Sequence, residues 1–250
     1  MPLLLSLAAC GAFGADPAPT TPDAGFDAGF TGAPDAVADA GTKPFCAPHP
    51  GERLCEDFEG PAGMAAGWSI DDEGGRNQVA VVELDGAPSP RHALLTAVEP
   101  GAGARTDAYA WRAYEPVPKL TLEAKVRLGE VGAQSLVIAE IYEASRQIGL
   151  RLRSGGEVEE SLSPDGGAAE KTLRASAPPP RVGEWTTISL TVDFEARRGT
   201  ATVAGETVTF DLAPAWEPVS ASVRVGLVDT SDDVRWVSHW DDVRVTVSKP

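Results

Sequence analysis

The sequence predicts an all-β protein in which two antiparallel sheets pack as a jelly-roll sandwich. From Arg53 onward, short segments alternate apolar and polar residues, and Gly, Pro, Asp and Ser separate these segments. Helical periodicity is nowhere sustained over a dozen residues. Many short strands with turn signals between them, in about two hundred residues, are typical of a two-sheet sandwich with one core.

Fourteen segments are predicted as strands. The clearest is Leu120 to Leu128, where Leu, Ala and Val alternate with Thr, Glu, Lys and Arg. Such a strand has one buried face and one face in water. The predicted strands are Leu54 to Glu59, Gln78 to Leu84, His92 to Val98, Thr106 to Tyr114, Leu120 to Leu128, Ser135 to Glu143, Gln147 to Arg153, Glu157 to Leu162, Glu170 to Ala175, Trp185 to Phe194, Thr200 to Ala204, Thr207 to Leu212, Ser222 to Val228 and Val234 to Val247.

The last strand, WVSHWDDVRVTV, places an aspartate on its apolar face. With a period of two residues, Asp241 shares a face with Val243 and Val245, while Trp236 and Trp240 fall on the other face. A buried carboxyl group has to be protonated, hydrogen-bonded or bound to a cation. Two explanations of a buried Asp241 remain open, namely hydrogen bonds from the protein and a bound cation.

The charge balance limits the partners. The chain has 250 residues with 21 Lys and Arg against 37 Asp and Glu, a formal net charge of -16. Nucleic acids and other polyanions are bound through basic side chains, so we exclude nucleic acid as the main partner. The length fits one sizeable domain and a tail.

The first ten residues, MPLLLSLAAC, resemble the leader of a bacterial lipoprotein. In such leaders a small-residue site precedes a cysteine that is lipidated, here Cys10. No Lys or Arg precedes the apolar run, which departs from the usual pattern. The resemblance implies a cell-envelope protein held to the membrane through a lipid anchor only, and Gly11 favours the outer membrane. An N-terminal apolar segment with an incidental cysteine is the alternative.

Residues 11–44 are predicted to be a disordered linker, and residues 45–250 the folded domain. The linker contains almost only Asp, Ala, Gly, Pro and Thr, with the near-repeat DAGFDAGF. Such a segment has too little apolar surface to offset the entropy of ordering it. It would hold the domain away from a lipid surface.

Cys46 and Cys55 are predicted to form a disulfide. An even pair of cysteines at short range in an exported protein is most simply a disulfide, and so small a loop is stabilised by about 2 to 3 kcal/mol. Neither a CxxC spacing nor a histidine cluster supports a zinc site.

Several short motifs together resemble the concanavalin A-like lectin and glucanase domain. They are LCEDFEG at Leu54 to Gly60, RHALLTAV at Arg91 to Val98, EWTTISLTVDF at Glu184 to Phe194, and DDVRV near the end of the chain. The similarity extends from about residue 45 to 248. Laminin G-like domains, glucanases, polysaccharide lyases and lectins all share this fold. The resemblance implies the sandwich fold, but this fold has many functions.

The resemblance to family-sixteen glucanases also implies a structural calcium ion. Its protein ligands would be Asp241 in the last strand and Asp57 in the first, with a main-chain carbonyl near His92. Calcium takes six to eight oxygen ligands, so water or further carbonyls would complete the site. The alternative is that Asp241 accepts hydrogen bonds from backbone N–H groups or pairs with an arginine.

The catalytic motif of those glucanases, E-x-D-x-E, is incomplete. In VIAEIYEAS, Glu140 stands at its first position, but Tyr142 and Ala144 occupy the other two. The alternating pair Glu157 and Glu159 is predicted to be a solvated edge. We therefore favour a domain without catalytic activity.

A glycan-binding surface needs an aromatic platform with a few polar groups on one face of a sheet. Tyr109, Trp111, Glu140, Tyr142 and Arg151 could together form such a shallow groove. The alternatives are that the rings belong to the core and that the arginine is solvated.

The expected function is therefore a cell-envelope lipoprotein that binds carbohydrate or another surface polymer. A glycoside hydrolase or a polysaccharide lyase of the same fold is the first alternative. For a lyase, Tyr109, Tyr142 and His92 could supply the acid and the base. A structural or protein-interaction module is the second alternative.

Overall fold

The computed structural model describes residues 45–46, 54–60, 64, 67–72, 77–100, 106–115, 117–129, 136–143, 146–152, 156–162, 170–213, 221–230 and 235–248. All of them belong to one compact unit, Gly41–Pro250. The predicted leader with Cys10 and the predicted linker lie outside the described residues. Within them, no helix is long and apolar enough to cross a membrane.

The described residues form fifteen strands. In chain order these are β1 Leu54–Glu56, β2 Ser69–Asp71, β3 Gln78–Glu83, β4 His92–Val98, β5 Thr106–Tyr114, β6 Lys119–Leu128, β7 Leu136–Glu143, β8 Arg146–Leu152, β9 Gly156–Leu162, β10 Glu170–Ala177, β11 Trp185–Asp193, β12 Arg198–Val203, β13 Glu206–Asp211, β14 Ala221–Thr230 and β15 Trp236–Ser248. The fourteen predicted strands are all present, and β2 is the additional one.

These strands form two sheets. The first sheet has the order β13-β12-β11-β6-β15-β4-β3, and β1 also pairs with β15. The second sheet has the order β10-β9-β8-β7-β14-β5-β2. Every pairing between these strands is antiparallel. The predicted two-sheet antiparallel sandwich is confirmed.

One apolar core lies between the sheets, and the alternation of residues explains how each strand contributes to it. In β6, Leu120, Leu122 and Val126 are buried while the residues between them are partly exposed. The neighbouring β11 adds Ile188 and Leu190 in the same way. Each of these strands therefore has one face in the core and one face toward water, as the sequence predicts.

The last strand differs from its prediction. Trp236 and Trp240 belong to the same core as Val243 and Val245, although they were expected on the opposite face. The register against β6 shifts between Asp241 and Arg244, so β15 contains a bulge there. Because a bulge adds one residue, the side chains after it change faces. The expectation from a strict period of two residues was wrong at this point.

The start of the folded domain is joined to this last strand. Cys46 and Cys55 form the predicted disulfide, with Cα atoms 5.4 Å apart. Cys55 lies in β1, where it pairs with Arg244 of β15. The disulfide therefore connects the beginning of the domain to the middle of the first sheet.

Candidate functional site

The candidate site lies on the face of the second sheet that points away from the core, which we call the outer face. In β5, Ala108 and Ala110 belong to the core, so Tyr109 and Trp111 point to the outer face. Tyr109 is buried outside the main core, and the partly buried Trp111 packs against it. The rings of Tyr109 and Trp111 therefore do not belong to the main core, contrary to the alternative that the sequence leaves open.

Strand register brings five residues into one row across this face. Trp111 is opposite Arg224 of β14, which in turn is opposite Glu140 of β7. Glu140 is opposite Gly149 of β8, and Gly149 is opposite Glu159 of β9. We call these five residues the cross-strand row. They place an indole, a guanidinium and two carboxyl groups along one line of the sheet.

Arg224 connects the aromatic and acidic parts of the row. Its guanidinium lies 4.9 Å from the centre of the Tyr109 ring, within the range of a cation–π contact. The same group contacts Glu140, with 3.1 Å between Nη1 and Oε2. One side chain thus holds both the ring and the carboxylate in place.

The hydroxyl of Tyr109 is also held. It donates a hydrogen bond of 2.9 Å to Asp71 in β2. Burial raises the pKa of Tyr109 well above its ordinary value, the hydrogen bond to Asp71 acts in the same direction, and the charge of Arg224 opposes both. Tyr109 therefore keeps its proton at neutral pH and is a poor general base.

Glu140 is the most unusual residue of the row. Its side chain is 1% exposed, and burial raises its pKa, an effect that the charges of Arg224 and Arg151 oppose. Oε2 accepts the bond from Arg224, but Oε1 is buried and no described residue donates a hydrogen bond to it. Nearly all buried polar atoms have a partner, so an acceptor without one needs an explanation.

A second ion pair lies beside the row. Arg151 of β8 contacts Glu159 of β9, with 3.1 Å between Nε and Oε1, and both side chains are almost fully buried. The prediction that Glu159 belongs to a solvated edge was wrong. Strand β9 is not an edge, because β10 covers its other side. The alternative that Arg151 is solvated is also wrong, because its side chain is almost fully buried.

Four of the five candidate binding residues therefore meet on one face: Tyr109, Trp111, Glu140 and Arg151. The main chain of Tyr142 lies in the neighbouring row, opposite Ser222 and Gln147, and its side chain is outside the described part of the structure.

Sequence reasoning missed three residues of this surface. Arg224 alternates with Val223 and Val225 in an apolar strand, and a charge in that position was a usable signal. Asp71 lies in a strand of three residues, which is too short to show a pattern. Glu159 was predicted to be a solvated residue at the edge of a sheet and not a member of this surface.

Asp241 lies in the bulge of the first sheet, away from the outer face. It is fully buried, and its two oxygens accept main-chain N–H bonds of 2.7 Å, Oδ2 from Ser89 and Oδ1 from Asp242. Burial raises its pKa to about 7, and the two hydrogen bonds oppose this rise. Of the two interpretations that the sequence leaves open, the hydrogen-bonded one describes these contacts.

Asp57 makes different contacts. Its carboxylate oxygens accept N–H bonds of 3.4 Å from Cys46 and Glu59. Among the described residues, no group of three or more His, Cys, Asp or Glu is placed to hold a metal ion. A calcium ion bound by Asp57 and Asp241 would thus depend on carbonyl and water oxygens, and it stays a prediction.

His92 lies in the first sheet and not at the outer face. Its Nδ1 atom is 2.8 Å from Oε2 of Glu59, and its main-chain N–H donates to Oε1 of the same residue. Tyr109 lies in the second sheet, so the structure does not bring these two residues together. The lyase hypothesis based on this pair loses its geometric basis.

Comparison with known proteins shows which solved structures have a similar fold. No protein-family model matches the chain, and no curated protein sequence matches it. Among solved structures, the cellulose induced protein Cip1 has a TM-score of 0.62 and 12% identity, covering 79% of this chain and 98% of that chain. The alginate lyase AlgAT5 from polysaccharide lyase family 7 has a TM-score of 0.50 and 11% identity, covering 73% and 94%. A protein titled sialidase has a TM-score of 0.52 and 13% identity, covering 79% and 18%.

At such low identity the likeness concerns the fold and not the function. The element order, the two antiparallel sheets and these neighbours agree with the predicted architecture. The chain has the all-β, concanavalin A-like jelly-roll fold.

Proposed function

We propose that the outer face of the second sheet binds a carbohydrate polymer and that the protein is a non-catalytic envelope lipoprotein. The observation that carries the proposal is the cross-strand row, in which the partly buried Trp111 adjoins the ion pair between the partly buried Arg224 and the buried Glu140, outside the core. Glycan sites combine an aromatic ring with a few fixed polar groups. The similarity to Cip1 and to a polysaccharide lyase is consistent with this class of ligand.

The energetics of the row support a binding role. Buried ion pairs are often no more stabilising than apolar residues of the same size, because both charges lose their hydration. The buried Arg151–Glu159 pair lies on a sheet face outside the core, beside the Arg224–Glu140 pair, in which Glu140 is buried and Arg224 is 17% exposed. Their fixed positions make them suitable for orienting the hydroxyl groups of a sugar.

The absence of catalysis is supported by residue chemistry. Two carboxylates of the glucanase motif are replaced by Tyr142 and Ala144. The hydroxyl of Tyr109 donates a hydrogen bond to Asp71 and its pKa is raised, so it stays protonated and does not serve as a base at neutral pH. These features favour binding over bond cleavage.

The binding proposal is tested by measuring affinity for a panel of soluble oligosaccharides with parent protein and Trp111→Ala. We expect the substitution to weaken binding at least about tenfold, since a central aromatic ring often carries much of the binding energy. Trp185→Ala is the matched control. Trp185 is also partly exposed but lies in the first sheet, with its indole N–H on the carbonyl of Gly86. Equal losses for both variants would exclude the outer face as the binding surface.

A glycoside hydrolase or polysaccharide lyase is the second candidate. It is favoured by Glu140, because a carboxyl group whose pKa is raised by burial is suited to donate a proton. Release of reducing ends or of unsaturated products from the same panel, abolished by Glu140→Gln, would establish this candidate in place of a binding module.

The envelope location rests on the LAAC site before Gly11 and on the acidic linker. Metabolic labelling with a radioactive fatty acid should mark the parent protein and leave Cys10→Ser unlabelled. Equal labelling of both would contradict lipidation at Cys10.

A further inference from the structure

The unsatisfied oxygen of Glu140 indicates which chemical group the outer face accepts. Oε1 is buried, lacks a donor among the described residues and belongs to the middle member of the cross-strand row. On the far side of Glu140 the row continues with Gly149, which has no side chain to fill the adjacent space. A ligand lying along the row from Trp111 toward Glu159 would therefore cross the position of Glu140. An acceptor in this position requires a ligand that donates a hydrogen bond.

The charge of the outer face limits the ligand further. Among the side chains described there, five are acidic and two are basic, which gives an excess of three negative charges when all are ionised. The acidic residues are Asp71, Asp107, Glu140, Glu157 and Glu159, and the basic residues are Arg151 and Arg224.

Both arginines already contact carboxylates. Arg224 is paired with Glu140, and Arg151 is paired with Glu159. Neither guanidinium therefore provides an uncompensated positive charge for an anionic ligand. The whole chain, with a net charge of -16, repels polyanions as well.

We propose, on the basis of the proposed function, that the ligand is a neutral, hydroxyl-rich glycan and that one of its hydroxyl groups donates a hydrogen bond to Oε1 of Glu140. A sugar hydroxyl both donates and accepts, so it can satisfy Oε1 while accepting from a neighbouring N–H group. A uronic-acid polymer carries a carboxylate on every sugar and would meet the acidic excess of this face. The same site therefore selects neutral over acidic glycans.

The test compares the affinities of the parent protein for neutral and acidic hexasaccharides at low and at physiological salt. Cellohexaose, xylohexaose and laminarihexaose are the neutral probes, and hexagalacturonate and hexaguluronate are the acidic ones. We expect at least one neutral probe to bind about tenfold more tightly than either acidic probe, and the difference to shrink with salt because screening weakens repulsion.

Two variants separate the hydrogen bond from the charge. Glu140→Gln should weaken neutral binding about tenfold, because its amide can place an oxygen toward Arg224 or toward the sugar but not toward both. Glu157→Gln removes one acidic charge from the same face without changing Oε1, so neutral binding should stay within about twofold. Both variants should reduce the discrimination against the acidic probes.

Acidic probes that bind as tightly as neutral ones, or more tightly, would overturn this inference and leave glycan binding itself intact. Failure of the parent protein to bind any probe or any polysaccharide would overturn the proposed function and this inference with it. Because the comparison of probes uses the unmodified protein, it decides the question even if Glu140→Gln does not fold.

Discussion

Two buried glutamates with similar surroundings have different roles. Glu160 of β9 is fully buried and faces Arg174 of β10, whose Nε donates a bond of 2.7 Å to Oε2. The main-chain N–H of Ala213 also donates to its carboxylate. Glu140 has one arginine and an oxygen with no described donor. Glu160 therefore has described donors on its carboxylate, whereas Glu140 retains an acceptor for the proposed ligand.

The ionisation of Asp241 predicts a dependence of stability on pH. Its pKa in the folded protein is raised from 3.8 to about 7, so between these pH values the folded state binds more protons than the unfolded state. Stability from this residue is thus fully present below about pH 4 and is lost as the pH rises toward 7, by at most about 1.4 kcal/mol per pH unit.

Thermal unfolding from pH 4 to pH 7 checks this expectation. The Tm of the parent protein should fall relative to that of Asp241→Asn as the pH rises. The variant will also be less stable than the parent protein by an amount that does not depend on pH, because its amide places one N–H group against a main-chain donor. Asp211→Asn is the control, with the same change at a side chain that is 85% exposed. Parallel curves for parent and Asp241→Asn would show that Asp241 does not titrate in this range.

The same unfolding experiment tests the predicted calcium ion. A calcium ion bound by Asp57 and Asp241 would raise the Tm when calcium is added and lower it with a chelator. An unchanged Tm, with no calcium retained in the native mass spectrum, would leave the two main-chain N–H groups as the partners of Asp241.

At the scale of elements, the contact between β5 and β14 determines the position of Tyr109. Gly226 of β14 is opposite Tyr109 and has a φ of 138°. A Cβ atom there would lie 2.5 Å from the carbonyl oxygen of Ala108 and 2.7 Å from the Cα of Tyr109. Only glycine permits this close approach of the two strands.

Gly226→Ala is therefore expected to reduce the free energy of unfolding by about 3 kcal/mol and to weaken glycan binding. Gly205→Ala is the matched control. It also has a positive φ, of 86°, but open space around the added carbon, so a loss of about 1 kcal/mol is expected. Denaturant unfolding of both variants measures the difference. Equal losses would show that backbone conformation alone, and not the contact with Tyr109, requires glycine.

The sequence was sufficient to predict the strands but not their irregularities. Strict alternation identified β6 and β11, because each has one face in the core. It failed at Asp241 and Asp242, where the bulge with a φ of 50° at Asp242 depends on contacts with Ser89 and Lys125. Ser89 lies between β3 and β4, and Lys125 lies in β6. A pattern along one strand does not contain that information.

At the scale of the whole molecule, the candidate site depends on register. The sequence predicts that Tyr109, Trp111, Glu140, Tyr142 and Arg151 share a shallow groove, but that prediction does not include Arg224. Their assembly beside Arg224 requires that β5, β14, β7 and β8 be neighbours in one sheet, although β14 is distant from the others in sequence. Sequence alone does not determine that order, so the cross-strand row could only be seen in the folded structure.

The two sheets also divide the roles of the molecule. The first sheet contains the Cys46–Cys55 connection, the Asp241 bulge and the two core tryptophans of β15. The second sheet presents the cross-strand row on its outer face. The first sheet therefore stabilises the domain, and the second provides the proposed binding surface.

Binding at the outer face is tested most directly by the indole N–H resonances of the ¹⁵N-labelled protein during titration with a neutral hexasaccharide. The chain has six tryptophans, which report on different regions. The resonance of Trp111 should shift with saturation, while those of Trp185 in the first sheet and of Trp236 and Trp240 in the core stay in place. A saturable shift of Trp185 with an unchanged Trp111 would place the ligand elsewhere and contradict the proposed function.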